Sequence, residues 1–286
     1  MIPKLMRHVP QGGQPYCEPF AGAASLFFAR EPAPVEVLND LDDDIVNLFR
    51  CLQDKETFNE LKHKIQYTLY SRAEFGLALE ILHNKNETNK LLRAWAFFVA
   101  LNQGFGGKKP KNVGNWGRVF VSDNGCARNI NCWIMRLSML ENWHKRLLMA
   151  QIDNRDAIEV IKYWDNPKAV FYIDPPYHHG TRKSKNVYSA EPEHQYHAQL
   201  VETILSCQGA IVLSGYDHPV YEPLKKAGWS VTCYKTACHA AGRTRNSGLQ
   251  GKGNATAKVP RTEVIWSNPK AVDMINPIQD LININQ

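Results

Sequence analysis

An apolar run that ends on two prolines constrains this chain more than any other stretch. Ala169-Val170 lead into Phe171-Tyr172-Ile173, β-branched and aromatic enough to predict a short buried strand. Asp174 stands at its carboxyl end, and Pro175-Pro176 then impose an extended, stiff turn. With Tyr177, a carboxylate, a rigid loop carbonyl and an aromatic ring are fixed within four residues. That set can hold a planar amino-bearing ring and polarise its NH2 group. The exocyclic amine of adenine is a poor nucleophile because its lone pair is delocalised into the ring. Hydrogen bonds from it to the Asp174 carboxylate and the Pro175 carbonyl would draw the nitrogen towards a tetrahedral, more nucleophilic state. They would also stabilise the positive charge that develops there. Tyr177 would stack on the base face, an interaction worth about 1–3 kcal/mol. For Asp-Pro-Pro alone, an ordinary strand-end turn is an equal alternative; the complete Asp-Pro-Pro-Tyr after an apolar strand favours the site.

Other strand ends carry matching chemistry. Tyr16-Cys17-Glu18-Pro19-Phe20-Ala21-Gly22-Ala23-Ala24-Ser25 passes through a small-residue turn into the apolar helix Leu26 to Arg30. Backbone in such a turn can approach a nucleoside cofactor closely. Val35 to Leu38 predict a second strand ending at Asn39-Asp40, where an acid about 20 positions past the glycine turn would grip a ribose hydroxyl. Asp42 to Asp44 suit the positive end of the helix that follows. Ile152 to Asp156 predict a further strand end, with Asp156 either a site residue or simply a helix N-cap.

Between these halves, residues 54–101 read as mainly helical. Ser71 and Glu74 form a capping box before Phe75, Ala78, Leu79 and Leu82, and Leu91, Leu92, Trp95, Phe98 and Val99 form a core stripe. A helix over about 130–149 would turn Ile134, Leu137, Leu140, Leu147 and Leu148 inward, and a short one spans Met1 to Pro10. Ala210 to Ser214 predict a strand, and Trp229 to Tyr234 with Thr262 to Trp266 a terminal antiparallel hairpin. The pattern is an α/β domain of residues 1–52 and 150–286, interrupted by a helical insert over 53–149.

Charge points to a partner. Three glycine- and asparagine-containing segments are basic without an acid: Lys108, Lys109, Lys111 and Arg118; Arg182, Lys183 and Lys185; and Lys235, Arg243, Arg245, Lys252, Lys258 and Arg261. They outweigh the whole-chain net charge of +6, so the remainder is acidic. Basic loops on an acidic body suit a phosphate backbone. Seven cysteines without a Cys-x-x-Cys pair predict neither a disulfide framework nor a metal site, but small buried hydrophobes. No apolar run reaches the ~20 residues of a membrane helix, and no signal pattern opens the chain, which predicts a cytoplasmic protein.

Taken together, Glu18-Pro19-Phe20-Ala21-Gly22, Asn39-Asp40, Asn154-Arg155-Asp156, Asp174-Pro175-Pro176-Tyr177 and Leu213-Ser214-Gly215-Tyr216 resemble the Dam-like DNA adenine-N6 methyltransferase family in order and spacing. Arg261 to Asn268 resemble its C-terminal strand. The resemblance implies a Rossmann-like sheet with helices on both faces and an inserted helical target-recognition lobe. It implies S-adenosylmethionine as cofactor, double-stranded DNA as partner, and no metal or membrane. Glu18, Pro19, Phe20 and Gly22 would line the cofactor pocket, Asp40 hold the ribose, Asp156 hold the cofactor's adenine amine, and Asp174 border the pocket. Asp174, Pro175, Pro176 and Tyr177 would hold a flipped target adenine. Asn102, Gln103, Lys108, Lys109, Arg243 and Arg245 are implied DNA contacts. Transfer would be a direct displacement; no Pro-Cys pair suggests a cysteine nucleophile.

Two departures from the family pattern stand out. Ala24 occupies the place of a second glycine. The family's opening Gly-Gly-Lys has no counterpart, since Met1 to Leu5 resemble the portion after it, and Gly12-Gly13 lies too late. This implies a chain shortened at its N-terminus. Methylation of an RNA adenine or a glutamine amide, or a catalytically dead DNA-binding protein, are the competing readings.

Overall fold

The computed structural model describes residues 1–12, 14–104, 116–117, 122–123, 126–176, 191–237 and 260–275. In chain order the helices are α1 (Ile2–Leu5), α2 (Ser25–Ala29), α3 (Asp43–Gln53), α4 (Lys55–Gln66), α5 (Arg72–His83), α6 (Lys90–Gln103), α7 (Arg128–Leu147), α8 (Ala157–Trp164), α9 (Glu191–Ser206) and α10 (Glu222–Lys226). The strands are β1 (Tyr16–Glu18), β2 (Glu36–Asn39), β3 (Ser122–Asp123), β4 (Cys126–Ala127), β5 (Ala150–Asp153), β6 (Val170–Ile173), β7 (Ala210–Tyr216), β8 (Ser230–Ala237) and β9 (Pro260–Ser267).

One seven-stranded sheet has the order β5-β2-β1-β6-β7-β9-β8, and β3 pairs with β4 separately. β1, β6 and β7 are parallel, while β9 runs antiparallel to both β7 and β8. This mostly parallel α/β sheet is the Rossmann-like arrangement that the sequence pattern predicts. Strand succession reverses between β1 and β6, the kind of switch point outside which ligands bind in open α/β sheets.

The chain divides into two compact units, Met1–Glu36 with Asp156–Gln286, and Val37–Arg155. In the first, β6 is buried along its whole length and β7 from Ala210 to Gly215. That burial explains why these strands read as continuous apolar runs rather than alternating ones. Trp266 of β9 is fully buried as well. The turn into β7 is tied by Asp165, whose carboxylate accepts the Gln208 and Gly209 N–H groups at 2.9–3.0 Å.

The second unit is built on capped helices. Asp42, Asp54, Ser71 and Asn89 each accept an N–H from the first turn of α3, α4, α5 and α6 respectively. Leu61, Ile65, Phe75, Trp95 and Leu140 are fully buried. The Trp95 indole donates to Thr68 Oγ1 at 2.8 Å, so the burial leaves no polar debt.

Three expectations need correction. On α7, Leu140 and Leu147 are buried, but Ile134 and Leu148 are 55% and 58% exposed. Trp133, seven residues before Leu140, occupies the inward line, which puts Ile134 one step off it. α1 stops at Leu5 rather than Pro10, because Arg7 and His8 turn tightly with N–H bonds to the Lys4 and Leu5 carbonyls. Among the cysteines, Cys17 and Cys51 are buried, whereas Cys233 on β8 is exposed.

Gly209 marks the tightest approach in the first unit. A Cβ there would lie 2.9 Å from the Ala169 carbonyl oxygen and 3.1 Å from the Phe171 ring. Backbone cannot yield as a flexible side chain can. Gly209→Ala is therefore expected to destabilise the protein by about 1–3 kcal/mol, read as a lower midpoint in denaturant unfolding. An unchanged midpoint would show that β6 and β7 part easily at this end.

Candidate active site

The site is set by register. β6 and β7 pair Ile173 with Leu213, so the next residues, Asp174 and Ser214, leave the strands side by side. Ser214 Oγ donates to Asp174 Oδ1 at 2.8 Å. That uses the single hydroxyl proton of Ser214, so the Tyr172 hydroxyl, 3.1 Å away, is the donor to Ser214 Oγ. The relay runs Tyr172, Ser214, Asp174 and fixes one carboxylate oxygen. Burial lifts the Asp174 pKa to about 6; the Ser214 hydrogen bond opposes this and the Glu263 charge on β9 adds to it. Asp174 is thus ionised at neutral pH but held in a medium where its charge acts strongly.

Across the switch point, Glu18 ends β1, the strand paired with β6. Its side chain is 2% exposed and accepts the Tyr16 hydroxyl at 2.7 Å. Burial raises the Glu18 pKa to about 7, against hydrogen bonds from Tyr16 and the Phe27 N–H and the charge of Arg30; the Asp174 charge pushes it up further. The same burial, with Glu18 beside it, raises the Tyr16 phenol well above its ordinary value. Arg30 lies 3.7 Å over the Tyr16 ring and 3.6 Å from Glu36. Two buried carboxyl groups with raised pKa values, near enough for one to act on the other, make a place suited to a cation.

The turn after Glu18 has unusual backbone. Pro19 is buried, Phe20 half-buried, and Gly22 adopts φ +52°, with open space where a Cβ would stand. Ala24 adopts φ +48° and is fully buried. A left-handed alanine costs about 1–2 kcal/mol relative to its ordinary conformation. The alanine in the second glycine's place therefore keeps a glycine-like backbone.

Of the two roles its position allowed, the structure shows Asp156 in that of the N-cap. Its Oδ1 accepts the Ile158 N–H at 2.9 Å as the N-cap of α8, and its Oδ2 accepts the Tyr196 hydroxyl at 3.1 Å. The Phe20 ring meets Tyr196 edge-on, with centroids 6.5 Å apart. Two residues after Asp174, the Pro176 carbonyl oxygen lies 3.1 Å from His197 Nε2. In the first unit, then, Tyr196 of α9 joins Asp156 and Phe20, its neighbour His197 meets Pro176, Ser214 of β7 holds Asp174, and Glu18 lies near enough to Asp174 to feel its charge.

Within the second unit, Asp40 Oδ1 accepts the Asp42 N–H and its carbonyl accepts Asn154 Nδ2, both at 2.9 Å. Asn39 exchanges two hydrogen bonds with the Arg155 backbone at 2.9–3.0 Å. The strand-end residues Asn39-Asp40 and Asn154-Arg155 are thereby stitched together. Asn102 donates to the Phe98 carbonyl at 2.7 Å. Gln103 is fully buried; its amide donates to Leu69 O, and Oε1 accepts from the Ser71 N–H and Trp116 Nε1. Gln103 has no surface in this structure to offer a duplex. Tyr177, Lys108, Lys109, Arg243 and Arg245 lie outside the described residues.

Sequence reasoning did not single out Ser214 or Tyr172 as holding the carboxylate, nor Tyr196 or His197. The one available signal was a hydroxyl at the end of an otherwise apolar strand. A groove of about 730 Å3 on the second unit, lined by Asp43, Arg50, Lys85, Lys90 and Arg93 among others, includes none of Glu18, Asp156 or Asp174. The buried carboxyl groups with raised pKa values stand at the strand ends and not in this groove. No described helix is long and apolar enough to cross a membrane, and no described His, Cys, Asp and Glu cluster could hold a metal ion.

Among known proteins, a family model described as D12 class N6 adenine-specific DNA methyltransferase matches residues 1–222. No curated protein matches the chain.

The two raised carboxyl groups bear on stability. Between about pH 5 and 7 the folded chain keeps protons on Glu18 and Asp174 that the unfolded chain has released, so these groups favour the folded state less as pH rises. His8, whose pKa burial lowers, acts in the opposite direction, so the comparison is with a variant. Glu18→Gln is expected to fall less in unfolding midpoint than the native chain when pH is raised from 5 to 7.5. Parallel pH curves would remove the assigned burial of that charge.

Proposed function

Because the chain belongs to the D12 class N6 adenine-specific DNA methyltransferase family, we propose that it takes the methyl group from S-adenosylmethionine and holds a flipped target adenine at Asp174 to Tyr177. It is an enzyme, and its reaction is site-specific methylation of adenine N6 in DNA. The observation that carries the residue assignment is the pairing of Asp174 with Ser214 at the switch point, beside the buried Glu18.

The residues fit such a cofactor. Glu18 is a buried acid whose raised pKa would fall on meeting a cationic amine, and Gly22 leaves its backbone open to close approach. Asp156 holds a carboxylate in place for an adenine amine. Asp40 would bind the ribose, with Pro19 and Phe20 forming the wall of the pocket. S-adenosylmethionine supplies, when bound, a methyl group on a sulfonium, an electrophile open to in-line displacement.

The remaining work falls to the chain itself. Ser214 occupies Asp174 Oδ1 and turns the carboxylate, so that one oxygen is directed and the other can accept a hydrogen bond from the N6 amine. The Pro175 carbonyl would accept the second amine proton, and Tyr177 would stack on the base. As charge develops on N6, the ionised Asp174 in its buried setting stabilises it without reorganising. Extrusion of the base from the duplex costs a few kcal/mol, which that grip must offset. Asn102, Lys108, Lys109, Arg243 and Arg245 are proposed to contact DNA, with residues 53–149 as the recognition insert. The basic, acid-free segments support this.

Incubation with labelled S-adenosylmethionine and duplex DNA, followed by digestion to nucleosides, is expected to yield labelled N6-methyladenine. Asp174→Ala should lower turnover at least about a hundredfold while leaving duplex binding largely intact. Label in RNA or protein alone, or full turnover by the variant, would overturn the assignment.

A further inference from the structure

We propose that two consecutive residues of α9, Tyr196 and His197, are positioning residues for this reaction, Tyr196 acting on Asp156 in the cofactor pocket and His197 on the Pro176 carbonyl of the base-holding turn. The inference rests on the reading just given. It starts from the helix itself: His197, Leu200, Val201 and Ile204 are all buried, an inward stripe at helical spacing. A leucine would fill the first place of that stripe without cost. An imidazole there is tolerated only because both of its nitrogens are satisfied.

Its partners define its state. Nε2 lies 3.1 Å from Pro176 O, and a carbonyl can only accept, so Nε2 carries the proton. Nδ1 lies 2.9 Å from the Tyr221 hydroxyl, which donates to it in the neutral ring. The ring of Tyr221 packs at 4.7 Å against Trp266, fully buried in β9. The imidazole is therefore anchored to the sheet on one side and grips the turn on the other.

The turn needs that grip. Proline rings fix φ at residues 175 and 176 and remove both N–H groups, so neither residue can donate a backbone hydrogen bond. What remains free is ψ, and capture of the Pro176 carbonyl sets ψ at that residue. Asp174 is fixed separately by Ser214. One step along the helix, about 100° around its axis, Tyr196 points elsewhere, donating to Asp156 Oδ2 at 3.1 Å and packing edge-on against Phe20. A single helix thus fixes groups on both sides of the proposed transfer, and the two contacts have separable consequences.

The test is steady-state kinetics of the full chain on duplex DNA with S-adenosylmethionine, alongside thermal unfolding of each variant. His197→Phe is expected to lower kcat about a hundredfold with the cofactor KM within about twofold, since misplacement of a reacting group acts on the chemical step. His197→Gln, whose amide nitrogen can still donate to Pro176 O, should recover kcat to within about fivefold of the native value. Tyr196→Phe should raise the cofactor KM about tenfold with little change in kcat. Should His197→Phe not fold, the isosteric Tyr221→Phe, which frees the ring, should still lower kcat severalfold.

Folded His197→Phe with native kcat, no recovery by His197→Gln, or equal movement of KM and kcat in both positions would leave only core packing and overturn the proposal. A native chain that is itself inactive on duplex DNA overturns the parent reading. Activity that is abolished by Asp174→Ala yet indifferent to Tyr196 and His197 overturns this one alone.

Discussion

One hydrogen bond, from Ser214 to Asp174, organises the site, and it is a consequence of strand register. β6 and β7 are parallel and in step over four residue pairs, so both deliver their next residue to the same edge. A shift of one residue would turn alternate side chains to the opposite face and separate the pair. The register is itself held below the site by Gly209, where Ala169 and Phe171 come too close for any side chain. Packing at the amino end of the strands thereby fixes chemistry at the carboxyl end.

The buried charges explain why the site must be so firmly built. Glu18 and Asp174 stand at the ends of neighbouring strands, both desolvated, with the Asp174 charge further disfavouring ionisation of Glu18 and the Glu263 charge that of Asp174. An isolated carboxylate in such a place would take up a proton. Here hydrogen bonds from Tyr16 and Ser214 moderate the cost without cancelling it. The outcome is a pair of strand ends whose electrostatics improve when positive charge arrives. Methyl transfer to an amine creates positive charge on nitrogen, so at the site proposed here the same imbalance that weakens the fold would favour the reaction.

Much of this was legible in the sequence, and the division follows sequence distance. Asp174, Pro175 and Pro176 declare themselves because a strand, its acid and its stiff turn are contiguous. Asp40 and Asp156 are legible as acids just after short apolar runs, although Asp156 also caps α8, which local pattern could not separate from function. Ser214 lies 40 residues from Asp174, and Tyr196 lies 40 from Asp156. Nothing local marks such partners, because only the sheet brings them together. Gln103 misleads for a related reason: a polar residue at a helix end beside a glycine-rich segment resembles a surface contact, yet its amide is spent joining Leu69, Ser71 and Trp116. On α7, Ile134 and Leu148 satisfy an apolar count but not the line that Trp133, Leu140 and Leu147 define.

Rigidity at the Pro175-Pro176 turn comes from outside the turn. Two prolines stiffen a chain, but they also strip it of donors, and a segment without donors can bond to its own fold only by accepting. Its acceptors are all it has to offer, and they must meet donors carried by neighbours. In this fold those neighbours belong to two different elements: Ser214 from β7, itself held by the Tyr172 hydroxyl, and His197 from α9. Anchoring a stiff segment from two elements fixes its position as well as its shape, and position is what an in-line reaction demands. A more flexible loop could adopt the same conformation on binding, but the entropy of ordering it would then fall on the bound state. Placing that cost in folding, where burial of the sheet offsets it, leaves the grip on the base available for chemistry.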